Sequence, residues 1–91
     1  EAAFQIADTF FRAQKYDDAI GAYRKILAQY PNNKGIQEAF LRIGQSYYNA
    51  GSDERAIAEL DAYLKKYPND AKTGATLDLV DASLDRLESR R

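Results

Sequence analysis

The chain has 91 residues, 45% hydrophobic and 30% charged, with a formal net charge of -1, which bounds it to one compact domain with a modest core. The two signs of charge are interspersed, so the basic footprint that phosphate backbones require is missing and nucleic acid is excluded as an expected partner. Lacking Cys and His, it has no thiol nucleophile, none of the usual zinc ligands and no side chain that readily moves protons near neutral pH; no catalytic, metal or cofactor residue is expected.

No apolar run approaches the ~20 residues of a membrane span and no signal-like start is present, so membrane insertion by this segment is not expected. The absence of any Met reads as an excised piece of a longer protein.

In chain order, a first helix carries Ala3, Ile6, Ala7 and Phe10. "AQKYDD" is the turn that follows it. A second helix sets Ala19, Tyr23, Ile26, Leu27 and Tyr30 at three- and four-residue steps, the mark of one buried face. Tyr30-Pro31-Asn32 stops it, because the residue before Pro avoids helical dihedrals and Pro cannot donate to the preceding turn. A third helix holds Phe40, Ile43, Gly44 and Tyr47, and "AGSDE" offers Gly51 as its C-terminal stop and Ser52 as the next N-cap. The fourth helix repeats the second with Ala56, Leu60, Tyr63, Leu64 and Tyr67, stopped by Pro68. In the fifth, Leu77, Val80, Leu84 and Leu87 form an apolar stripe expected to be buried, at roughly 1.5–3 kcal/mol per side chain.

"AQKYDDAIGAYRKILAQYPNN" from Ala13 lies over "AGSDERAIAELDAYLKKYPND" from Ala50, an offset of 37 residues. That is the period of a helical solenoid. The fold class expected is all-α: five antiparallel helices in two and a half repeats, divided as repeat one 1–34, repeat two 35–71 and a C-terminal capping helix 72–91.

These residues resemble the tetratricopeptide repeat. Phe40, Ile43, Gly44 and Tyr47 match the pattern of its first helix, and Ala56, Leu60, Tyr63 and Pro68 that of its second. The first copy answers with Ala3, Ile6, Ala7, Phe10, Ala19, Tyr23 and Pro31, Ala3 being smaller than the pattern prefers. The resemblance implies a right-handed superhelix of stacked helix pairs, with first helices lining a concave groove that binds a protein or peptide, and brings no catalytic residue. The long loops "PNNKG" and "PNDAKTG" after Tyr-Pro-Asn endings resemble the subgroup of bacterial cell-envelope proteins, such as the periplasmic coordinator of the Tol-Pal system and outer-membrane assembly lipoproteins. That implies a periplasmic or outer-membrane-associated location, with the cytoplasm as the alternative.

On the family pattern, Glu1, Phe4, Asp8, Phe11 and Arg12 face the groove from the first helix, Glu38, Leu41, Gln45, Tyr48 and Asn49 from the third, and Ala75, Asp78, Ala82, Asp85 and Arg86 from the fifth. Down the columns, Phe4 becomes Leu41 and then Asp78, and Phe11 becomes Tyr48 and then Asp85. An apolar shelf thus ends in carboxylates, suited to an apolar or helical ligand with a basic end near Asp78 and Asp85. The shelf residues either fill gaps between neighbouring first helices or anchor a partner, and a tyrosine can do both. A clamp for C-terminal carboxylates does not fit, since its places hold Phe4, Asp8, Arg42 and Leu79. Asp81 stands where Ala7 and Gly44 let paired helices approach, so the last helix is expected to face water there. The leading expectation is a protein-binding module. The second is a structural solenoid segment or a homo-oligomer, since Ala2, Ala3, Ile6 and Phe10 form an edge open to a preceding repeat and Leu77 to Leu87 one that suits a following repeat.

Overall fold

The computed structural model describes residues 2–32, 35–68 and 72–89. Glu1 and parts of both long loops lie outside the described residues, and the repeat boundaries drawn at 34 and 71 fall in those loops. The described residues form five helices and no strand: α1 Ala2–Arg12, α2 Tyr16–Gln29, α3 Ile36–Asn49, α4 Asp53–Lys66 and α5 Thr73–Ser89. Consecutive helices pack on one another, and α3 also touches α5. The result is an α-solenoid of about two and a half helix pairs, with extents of 41 × 30 × 17 Å.

Both Tyr-Pro pairs end their helices as the local chemistry requires. α2 and α4 stop at Gln29 and Lys66, and Tyr30 and Tyr67 leave the helix with the same φ of -128°. The tight turns inside each pair also match. Gly51, at φ 83°, closes a Schellman motif in which its amide reaches Tyr48 O and the Ser52 amide reaches Tyr47 O. Gln14, its counterpart 37 residues earlier, adopts φ 64° and makes the same pair of bonds, to Phe11 O and Phe10 O through the Gln14 and Lys15 amides. The turn that lacks a glycine therefore has the glycine conformation. Ser52 occupies the position before α4, yet its side chain makes no capping hydrogen bond. Its ψ of 71° lies outside the extended region from which a serine hydroxyl reaches the first-turn amides.

The core lies between helices in two clusters, one around Ala7, Ala19, Tyr23, Ile26 and Ile43 and the other around Leu41, Ala56, Leu60 and Tyr63. Small residues set the close approaches. A methyl group on Gly44 would stand 2.6 Å from Leu60 Cδ2, and the equivalent Ala7 is fully buried in the cluster that holds Tyr23. Here Leu60 and Tyr23 are themselves counterparts.

The apolar stripe of α5 is not buried as the sequence leads one to expect. Leu77 and Leu84 are 48% and 43% exposed, Val80 and Leu87 are half-buried, and Asp81 is exposed. The fully buried residues of α5 are Thr76 and Ser83. Each first-type helix has two faces, one for the second helix of the preceding pair and one for its own. α3 closes both, against α2 and α4, whereas α5 closes only the first, against α4. Thr76 and Ser83 correspond to Ala39 and Ser46, also fully buried. Leu77, Asp81 and Leu84 belong to the other face.

Candidate partner-binding face

The first-type helices carry every residue expected to face a partner, and cross-helix contacts join α1, α3 and α5 into one surface. Phe4, half-buried, lies over Gly35, where a methyl group would come within 2.6 Å of the ring. Asp8 accepts a hydrogen bond from the Tyr23 hydroxyl. Burial, and then that bond to Asp8, push the Tyr23 hydroxyl well above its ordinary pKa of 10.0.

Phe11 and Tyr48 are both half-buried, and each ring lies under an arginine of the next first-type helix. The Arg42 guanidinium lies 4.8 Å from the Phe11 centroid, and Arg86 lies 3.9 Å from that of Tyr48. Phe11 also meets Tyr16 edge-on at 5.8 Å. Stacking of this kind holds a guanidinium over a ring face at little conformational freedom. The two arginines are not register equivalents, since Arg42 corresponds to Leu79 and Arg86 to Asn49. One arrangement is built twice from different positions.

Arg86 does more than cover a ring. Its Nε donates to Asp53 Oδ1 at 2.8 Å, its Nη2 donates to Tyr48 O at 2.7 Å and also pairs with Asp53, whose side chain is fully buried. A carboxylate out of water needs such a partner. Asp53 also opens α4, where the helix dipole favours a negative charge. This pair ties α5 to the α3–α4 turn.

The remaining positions divide by exposure. Leu41 is buried at 4% and forms the floor, not the surface, of a cavity of about 260 Å³ between α3 and α5, with Gln45 and Leu79 beside it. Glu38 at its rim pairs with Arg42 at 3.2 Å and with Lys72. Arg12 and Asn49 are exposed near the helix ends, and Asp78 and Asp85 are exposed on α5. Phe4, Phe11 and Tyr48 are therefore packed between helices and still present part of each ring. Tyr47, next to Tyr48, turns inward against both core clusters, and its hydroxyl accepts from Arg24 at 3.1 Å.

The sequence places Arg86 on this face beside Asp85, but not its pairing with Asp53, nor Arg42 over the Phe11 ring. The column comparison holds the signal: Asp53 replaces Tyr16, and Arg86 replaces Asn49, so an acid and a base enter the repeat together. Among the described residues no group of acidic side chains is placed to hold a metal, and no helix is long and apolar enough to cross a membrane.

No curated protein matches the chain. A family model described as tetratricopeptide repeat matches residues 4–71, which covers α2, α3, α4 and nearly all of α1. Repeats of that family generally mediate protein–protein interaction and are typically non-catalytic. Five helices, two matched pairs 37 residues apart and a family match over most of its length place this chain in the tetratricopeptide repeat family.

Proposed function

We propose that the chain is a non-catalytic binding module that takes a peptide or helix of a partner protein along the face lined by α1, α3 and α5. The observation that carries this reading is the pair of partly buried rings, Phe11 and Tyr48, each roofed by an arginine of the next first-type helix. Rings held this way lose little freedom when a ligand lands on them, and aromatic and arginine side chains are the commonest anchors of protein interfaces. The exposed Asp78 and Asp85 favour a basic end in that ligand. Partners captured with the intact chain and then titrated by calorimetry test this. Phe11→Ala combined with Tyr48→Ala is expected to weaken binding roughly tenfold or more with the helical spectrum intact. Unchanged affinity for every captured partner would remove the assignment.

The 37-residue period and the Tyr-Pro-Asn endings support a setting in a bacterial envelope protein, in the periplasm or at the outer membrane; fractionation of cells making the parent protein checks it. A second reading, a solenoid segment or self-associating module, is favoured by the exposure of Ile6 at 56%, Leu77 at 48% and Leu84 at 43%. A strictly monomeric mass across concentrations in light scattering counts against self-association.

A further inference from the structure

We infer that the cleft between α3 and α5 is an anchor pocket for one aromatic ring, the side chain of a phenylalanine or tyrosine in a partner peptide that carries a basic residue next to it. The inference rests on the reading of the α1–α3–α5 face as the partner surface and narrows what that surface takes. The cleft has a volume of about 260 Å³, with Leu41 as its floor and Leu79 as a wall. A cavity of about 150 Å³ lined by aliphatic side chains is already enough for a benzene ring. Both helices that bound the cleft belong to the chain, and α4 packs on each of them. The cleft thus lies inside the array and not on either end face.

The occupant is visible in the chain itself, which builds this place twice. Between α1 and α3, 37 residues earlier, Phe4 stands for Leu41, Gly35 for Lys72 and Arg42 for Leu79. There the chain supplies its own ring: Phe4 lies over Gly35 so closely that a methyl group on the glycine would come within 2.6 Å of it. Between α3 and α5 that ring is cut back to Leu41, buried at 4%, and the arginine gives way to Leu79, so the space is left open and its lining is aliphatic. Thr76 at the base turns its hydroxyl onto Lys72 O at 2.8 Å, which keeps that donor out of the cleft. Ala75, small and exposed, leaves the mouth clear. The polar rim sets the neighbour of the ring. Glu38 is already held by Arg42 at 3.2 Å and by Lys72, so a ligand's cation is not drawn there. Asp78, next to Leu79 in sequence and in the column of Phe4 and Leu41, is exposed and in no ion pair among the described residues. A basic residue beside the ring is therefore favoured on the α5 side. Gln45, also on the rim, carries an amide able to pair with the peptide backbone.

The probe is the capped peptide acetyl-Gly-Phe-Lys-Gly-amide, with two controls that carry Ala in place of its Phe or Glu in place of its Lys. Each is titrated into the isotope-labelled chain and followed through the methyl signals of Leu41 and Leu79. With the probe these signals should move upfield and saturate, the ring-current mark of an aromatic face lying on them. The Ala control should bind roughly tenfold weaker or less tightly still, and the Glu control several-fold weaker at low salt. Ala75→Phe, at an exposed position, should fill the mouth and weaken the probe roughly tenfold with the helical spectrum intact. Leu41→Phe should do the same from the floor by restoring the ring of the first copy. Phe11→Ala with Tyr48→Ala should bind the probe as the parent chain does, because neither residue lines the cleft. Captured partners that ignore that double change yet weaken with Ala75→Phe would keep the pocket and remove the assignment of the two rings; the reverse would keep the rings and overturn the pocket. Equal affinity for the probe and either control would also overturn the inference, as would shifts confined to Ile6 or Leu84, or no saturable shift at Leu41 and Leu79.

Discussion

Gln14 shows how a repeat imposes its geometry on a residue that resists it. Left-handed backbone costs an L-residue roughly 1–2 kcal/mol, and Gln14 accepts it because the two Schellman bonds and the packing of α1 on α2 require the chain to reverse there. Gly51 meets the same demand with no Cβ. Gln14→Gly is therefore expected to stabilise the fold by about 0.5–1 kcal/mol, the relief of strain exceeding the entropy glycine gives back to the unfolded chain; a rise in the urea midpoint checks it. Tyr23 supplies a pH signature. Its hydroxyl titrates higher in the folded chain than the 10.0 of an exposed tyrosine, from burial first and the bond to Asp8 second. Below pH 10 both states hold the proton and the contribution is complete. Above it the unfolded state ionises first, so stability is lost as pH climbs toward the folded value. Thermal melts above pH 10 should fall more steeply for the parent than for Tyr23→Phe.

At the scale of the helix, much of the fold is legible in the sequence because the signals are local. Tyr-Pro stops, three- and four-residue apolar steps and the 37-residue offset require nothing beyond the chain itself. The fate of a face is not local. Leu77 and Leu84 have the same periodicity as Phe40 and Tyr47, yet they are exposed because, among the described residues, no helix packs on that side of α5 as α4 packs on α3. Asp81 is the one sequence cue that this face stays wet, since a carboxylate in the place of Gly44 would block a helix approaching as Leu60 does. The face proposed for a partner is legible in outline and not in detail. Phe11 and Tyr48 fall where the family pattern puts them, while the arginines over them come from positions that do not repeat. The Asp53–Arg86 pair shows only when columns are compared, where Asp53 replaces Tyr16 and Arg86 replaces Asn49, and no single helix points to it.

The described residues form a short solenoid in which each second helix closes the face before it and the face behind it, and the two end faces carry no second helix among them. Ile6 on α1 and Leu77 and Leu84 on α5 mark the open faces, and Ile43 and Leu60 mark the closed ones. The proposed partner surface is the row along α1, α3 and α5. Equilibrium urea unfolding of Leu84→Ser beside Leu60→Ala tests the division most directly. Leu60→Ala should cost about 2–5 kcal/mol, as buried leucine truncations do, and Leu84→Ser about 0.5 kcal/mol or less, as surface changes do. Equal losses for the two would mean that α5 buries its leucine stripe and that the face described here as open is part of the core.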